Sequence, residues 1–188
     1  AGTAYWTLVD PDGETLFDRH DFRENYDPAR LSAPKTGTYT LILEGYTYNS
    51  SDMSYSFAVN EVSDERHNIA VDTLVQGKID VAGRRHILQF TLAQDTQVFL
   101  DSLLAGEFQI SLSGPRGEEF SDRLLSRSHW QYSDPMLNLV AGTYELTLVG
   151  ANGTTGGYAF QLLTKAAAQV VTYGDPVSGV LGDKGANA

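Results

Sequence analysis

Residues 142–149 read Gly-Thr-Tyr-Glu-Leu-Thr-Leu-Val, and residues 37–44 read Gly-Thr-Tyr-Thr-Leu-Ile-Leu-Glu. In each stretch a large apolar side chain returns at every second position: Tyr144, Leu146 and Leu148 in one, Tyr39, Leu41 and Leu43 in the other. A period of two puts such residues on one face of a β-strand. The glycine before each strand, Gly37 or Gly142, suits a tight backbone turn. The tyrosine after it, Tyr39 or Tyr144, suits a buried ring whose hydroxyl is bonded at a sandwich corner. All four are expected to be structural.

The likeness extends outward from these two stretches, which lie 105 positions apart. Upstream, Pro11, Gly13, Glu14, Asp18 and Arg19 recur as Pro115, Gly117, Glu118, Asp122 and Arg123, 104 positions on. Ala1-Gly2 recurs as Ala105-Gly106, and Trp6 and Leu8 fall on Ile110 and Leu112, which makes Trp6 a core candidate. Asp27-Pro28 resembles Asp134-Pro135. Downstream, Tyr55-Ser56-Phe57 matches Tyr158-Ala159-Phe160, and Val75-Gln76-Gly77-Lys78-Ile79 resembles Val177-Ser178-Gly179-Val180-Leu181. Small drifts in the offset are what insertions and deletions in surface loops produce.

The chain therefore reads as the C-terminal part of one repeat (1–63), a complete repeat (64–166) and the head of a further one (167–188). It begins at Ala1 without a methionine and reads as an excised fragment. The first copy has no counterpart of residues 86–104, so two strands are missing from it. Unpaired strand edges and bare apolar faces are unfavourable. Segment 167–188, from the same chain or a neighbour, is the expected completion.

Strand-like alternation also marks 4–9, 55–60, 87–92, 97–103, 107–113 and 157–163. Turn signals separate these runs, among them Asp10-Pro11-Asp12-Gly13, Ser113-Gly114-Pro115-Arg116-Gly117 and Asn152-Gly153. The single helix-like stretch is 164–169, with three alanines, expected as a connector. The fold class is all-β: tandem β-sandwich, jelly-roll-like repeats of about 100 residues, the usual size of such a domain.

The pattern of a strand, Pro-x-Gly-Glu, a variable stretch, Gly-Thr-Tyr-x-Leu, a polar turn and Tyr-x-Phe resembles the bacterial pre-peptidase C-terminal domain. The likeness covers nearly the whole chain as one complete and two partial copies. It implies a small jelly-roll sandwich beside a secreted peptidase or within a large surface protein. Relatives of that family in clostridial collagenases bind calcium and collagen. Their acidic metal-binding motif does not align with this sequence, so the resemblance transfers fold and an extracellular setting but no calcium ligands.

Composition narrows the function classes. With 13 Lys and Arg against 24 Asp and Glu, the formal charge is −11, a surface that repels phosphate backbones and excludes nucleic-acid binding. There is no cysteine, which excludes disulfides, thiolate metal sites and a cysteine nucleophile. No apolar run approaches the ~20 residues that span a bilayer, and no charged n-region followed by an apolar h-region occurs in these residues, so any targeting signal is expected to lie outside them. Neither a Gly-x-Ser-x-Gly elbow nor a His-Glu-x-x-His helix occurs. His20, His67, His86 and His129 are scattered among charged residues and have no matching positions in the two copies; they read as surface histidines. An enzyme is not expected.

Calcium is the one cofactor the sequence leaves open, because hard cations take clustered carboxylate and carbonyl oxygens. Asp10, Asp12 and Glu14 surround the Pro-Asp-Gly turn and form the candidate metal site. Asn49, Ser50 and Asp52 occupy a second polar turn, and Asp101 lies in a strand near Gly106. The competing reading is that Asp and Asn cap these turns with their own side chains. The second copy has Gly114 and Arg116 in place of Asp10 and Asp12, so any such site is not a property of the repeat. Tyr46, Tyr48, Trp130 and Tyr132 lie in or near loops, where aromatic rings stack on sugars or on a neighbouring repeat; they are the candidate ligand-binding residues. Asp18-Arg19 and Asp122-Arg123 are read as a recurring ion pair or turn lock.

The sequence thus points to a non-catalytic repeat module with a spacer, stabilising or adhesive role in a secreted or cell-surface bacterial protein. Its expected partners are neighbouring repeats. The alternative is a calcium-dependent module binding polysaccharide or matrix protein.

Overall fold

The computed structural model describes residues 4–21, 30–45, 52, 54–104, 106–127, 136–167, 170–174 and 176–178. The chain divides into two compact units, Ala1–Asn60 and Glu61–Ala188.

The first unit holds β1 (Ala4–Val9), β2 (Thr15–Asp21) and β3 (Thr40–Gly45). They form one antiparallel sheet in the order β2-β1-β3. Its described buried apolar side chains are Ala4 and Phe17. The half-buried Trp6 ring packs on Phe17, with centroids 4.3 Å apart.

The second unit holds β4 (Glu65–Asn68), β5 (Leu74–Ile79), β6 (Arg85–Leu92), β7 (Thr96–Leu104), β8 (Phe108–Gly114), β9 (Gly117–Leu124), β10 (Met136–Leu139), β11 (Gly142–Gly150) and β12 (Gly156–Thr164). One sheet runs β10-β7-β12-β5 and the other β4-β6-β11-β8-β9. All neighbours are antiparallel except β4 and β6. Alternation explains the layering. Tyr144, Leu146 and Leu148 on β11 are buried while their neighbours in sequence are partly or fully exposed. On β12, Tyr158, Phe160 and Leu162 do the same. These residues join Leu88, Phe90, Val98, Leu100, Phe108, Ile110 and Leu112 in one continuous core between the two sheets. Burying each such side chain stabilises the fold by about 1.5–3 kcal/mol.

The arrangement β2-β1-β3 recurs as β9-β8-β11. In the first, Trp6, Leu8 and Val9 face Leu43, Leu41 and Thr40. In the second, Ile110, Leu112 and Ser113 face Leu148, Leu146 and Glu145. The irregularities also coincide. β1 slips register against β2 between Trp6 and Leu8 and between Leu8 and Val9. β8 slips against β9 between Ile110 and Leu112 and between Leu112 and Ser113.

The corner before the third strand is the same as well. The Tyr39 hydroxyl donates to the Lys35 carbonyl at 3.0 Å, and the Tyr144 hydroxyl to the Val140 carbonyl at 2.8 Å. Gly37 has φ +146° and Gly142 has φ +144°. A Cβ on Gly37 would lie 2.8 Å from the Pro11 ring, and one on Gly142 would lie 2.3 Å from the Pro115 ring. The paired prolines and glycines are therefore a packing requirement and not only a turn signal.

Two expectations need correction. Residues 55–60 contain no strand, although their alternation resembles that of β12. Tyr55, Phe57 and Val59 are exposed. β12 is a strand because β5 and β7 flank it, and residues 1–60 carry no sequence like either. The connector at 164–169 is not an α-helix in its described part: Thr164 ends β12 and Lys165–Ala167 is one 3-10 turn. Asp122 takes φ +51°, with its N–H donating to Ser111 Oγ at 3.0 Å, while the Arg123 guanidinium lies over the Phe120 ring at 4.3 Å. The side chains of Asp18 and Arg19 lie outside the described residues. Of the segment expected to complete the first copy, the described residues 170–174 and 176–178 hold no strand.

Candidate functional site

Asp10, Asp12 and Glu14 do come together, in the β1–β2 turn. Asp10 Oδ1 accepts the N–H groups of Asp12 and Glu14, each at 2.9 Å. Its second oxygen bonds the Lys35 ammonium, which also lies 2.8 Å from Asp12 Oδ2. The turn closes with the Asp10 N–H on the Glu14 carbonyl at 2.8 Å and the Gly13 N–H on the Asp10 carbonyl at 3.1 Å. Asp10 is buried, so its carboxylate requires partners, and each of its oxygens has one. The Lys35 ammonium holds the Asp10 carboxyl below its ordinary range, and Asp10 and Asp12 hold Lys35 above its own. A lysine thus sits between the two carboxylates where a bound cation would sit. Among the described residues no group of three His, Asp or Glu side chains is arranged to hold a metal ion.

Of the second polar turn only Asp52 is described. Asp101 is buried on β7 opposite Gln161 of β12. The candidate ligand-binding aromatics Tyr46, Tyr48, Trp130 and Tyr132 all lie outside the described residues, as does His129.

A groove of about 720 Å³ in the second unit lies between β7, β10 and the turn after β12. Its wall is mixed: Gln97, Arg116, Asn138 and Lys165 contribute polar groups, and Leu139, Val140 and Ala166 apolar ones. Several of these groups are already committed. Gln97 Nε2 donates to Asn138 Oδ1 at 3.0 Å, and Arg116 is bidentate on Glu119 at 3.2 and 2.9 Å and also donates to the Asn138 carbonyl at 2.6 Å. Asp95 is present in the wall but no histidine is, so the groove holds no carboxylate–imidazole pair for acid–base chemistry.

The site that sequence reasoning missed is at the opposite sheet edge. His86 is not a surface residue; it is only 4% exposed. It occupies the inward face of β6, two positions before Leu88, and the alternation His86, Leu88, Phe90, Leu92 was the signal available. Arg84-Arg85 before it made the stretch look like a charged loop. Its Nδ1 lies 2.8 Å from the Tyr158 hydroxyl. Its Nε2 is buried without a hydrogen-bond partner, 3.4 Å from Glu65 Oε2 on the adjacent β4. Glu65 Oε2 is also 3.6 Å from His67 Nε2, while Glu65 Oε1 accepts from Arg84 at 2.8 Å. Arg84 reaches Asp80 as well, at 2.6 Å. Burial pushes the His86 imidazole below its ordinary range, against a smaller opposing pull from Glu65. Burial, with a lesser contribution from Glu65, pushes Tyr158 up to about 12. Tyr158 keeps its proton at neutral pH, and its hydroxyl donates to Nδ1 in the tautomer that carries the imidazole proton on Nε2. In that tautomer the Nε2 proton faces the acceptor-only Glu65 carboxylate.

No protein-family model matches the chain, and no curated protein matches it in sequence. Among solved structures it is similar to the pre-peptidase C-terminal domain of a collagenase from Bacillus anthracis, at 14% identity over 55% of this chain and 99% of that one, with a TM-score of 0.41. It is also similar to a periplasmic inhibitor of g-type lysozyme from Aeromonas hydrophila, at 8% identity over 53% of this chain and 99% of that one, TM-score 0.36. The Salmonella Typhimurium inhibitor of the same kind matches at 15% identity over 50% of this chain and 97% of that one, TM-score 0.35. No described helix is long and apolar enough to cross a membrane.

Proposed function

We propose that this chain is a non-catalytic β-sandwich module of the pre-peptidase C-terminal type, a spacer, stabilising or adhesive element of a larger secreted or surface bacterial protein. The observation that supports the reading is the corner built twice. Pro11, Gly37 and the Tyr39–Lys35 bond in one unit match Pro115, Gly142 and the Tyr144–Val140 bond in the other, on strands of the same register. Repeated units of this kind gain stability from their own cores and from their neighbours, so neighbouring repeats are the proposed partners. The three strands of Ala1–Asn60 are one part of such a unit, completed in the working protein by strands from outside those residues, with segment 167–188 of this or a neighbouring chain as one supplier.

Two measurements test this. Residues 61–166 expressed alone should melt in one cooperative transition and turn over no peptide, ester or glycoside substrate. Turnover that survives repurification and disappears on a single substitution in the groove at Arg116 overturns the non-catalytic reading. In the producing bacterium, protease added to intact cells should remove the chain; protection from that protease together with absence from the medium overturns the exported setting.

A further inference from the structure

We propose that His86 is a proton sensor that holds β4 against the body of the sandwich while neutral and releases it when protonated. β4 is the element best suited to respond. It has four residues, lies at a sheet edge, and pairs in parallel with β6 alone, Glu65 opposite His86 and His67 opposite Leu88. Its side-chain ties are ionic: Asp64 just before it to Arg85 at 3.1 and 2.7 Å, Glu65 to Arg84, and Arg66 to Glu145 at 2.8 Å.

A second proton on His86 upsets this arrangement at both ring nitrogens. Nδ1 becomes a donor, so it can no longer accept from Tyr158, whose hydroxyl must turn in a buried setting. Nε2 draws Glu65 Oε2 inward from 3.4 Å, at the expense of the Glu65–Arg84 bond. The new positive charge faces Glu65 and His67 on β4, Arg84 at the start of β6, Asp80 in the turn after β5, and Tyr158 on β12. Arg84 among these is a fixed cation, so the new charge meets a like charge there. A buried charge in such a setting is strongly disfavoured. The shortest route to hydrating it is to lift the four-residue strand whose Glu65 and His67 side chains face the imidazole, a local opening of a kind that edge elements undergo.

The sign follows from linkage. A base whose folded pKa lies below its unfolded value of 6.5 binds its proton more readily in the open state. Its contribution to stability is complete above pH 6.5 and is lost as the pH falls from there through the folded value. NMR titration tests the proposal by following the His86 ring proton and the exchange of the amides of Glu65–Asn68, corrected for the intrinsic pH dependence of exchange. The strand amides should lose protection with the midpoint of His86, while those of β12 stay protected. His86→Gln should abolish that response. Glu65→Gln, at a half-exposed position that does not threaten folding, should move the His86 midpoint down, because it removes the counter-charge. Unchanged β4 protection across the His86 titration overturns the proposal, as does an acid response surviving in H86Q. If H86Q does not fold, E65Q decides: a midpoint that stays or rises overturns it.

Discussion

Tyr144 shows how much of the corner rests on one hydroxyl. The ring is fully buried against Phe90, with centroids 5.2 Å apart, and the oxygen caps the Val140 carbonyl four residues back. Tyr144→Phe keeps the ring and leaves that carbonyl without its partner. The expected loss is about 1 kcal/mol, the usual net worth of such a bond, read as a lower urea midpoint at unchanged m-value. Gly77 is a second pressure point. A Cβ there would lie 2.5 Å from the Tyr158 oxygen and 2.6 Å from its ring carbon. Gly77→Val must displace Tyr158, which costs about 1–3 kcal/mol by overpacking, and the His86 ring resonance should shift with it. Asp10 provides an acid-side test. Its folded pKa lies below the ordinary 3.8, so its contribution is present above that pH and is lost as the pH falls through the folded value. Asp10→Asn should flatten the stability profile in that acid range and leave the profile near His86's range unchanged, as read from melting temperature against pH.

At the scale of elements, the sequence is legible wherever one face is apolar and the other polar. β1, β3, β6, β7, β8, β11 and β12 all overlap alternating runs. β2 and β9 are harder to see because residues such as Asp21, Glu118, Glu119 and Asp122 fill them with charge. They are strands because β1 and β8 offer a free ladder beside them. β4 and β10 are four residues each, too short to display a period, and pairing alone defines them. The error at 55–60 has the same root in reverse: alternation is local, but a strand requires neighbours that are remote in sequence. Hydrogen exchange makes the contrast measurable. Amides of 55–57 should exchange orders of magnitude faster than those of Tyr158–Phe160, which carry the matching sequence between two paired strands; comparable protection would show that 55–57 is laddered after all. His86 is hard to read for a related reason, since Arg84 and Arg85 beside it carry charge that ion pairs with Glu65, Asp80 and Asp64 accommodate, and those partners are not adjacent to it in sequence.

For the whole molecule, core distribution governs stability. The continuous core belongs to Glu61–Ala188, whereas the described residues of Ala1–Asn60 form one three-stranded sheet with two buried apolar residues. A sheet with so few described buried apolar side chains draws little stability from a core of its own. Calorimetry should therefore resolve a weak early transition that is absent from residues 61–188 alone and a larger later one that the shorter chain retains; a single transition in which both melt together would contradict this. The coincident register slips of β1–β2 and β8–β9 carry a separate consequence. Bulges set the local bend of a hairpin, so both hairpins leave the sheet with the same curvature. Such a hairpin behaves as an interchangeable part. Grafting Gly13–His20 in place of Gly117–Leu124, eight residues for eight at the shared offset, would preserve the frame, so surface chemistry can be exchanged between copies without redesigning the scaffold beneath.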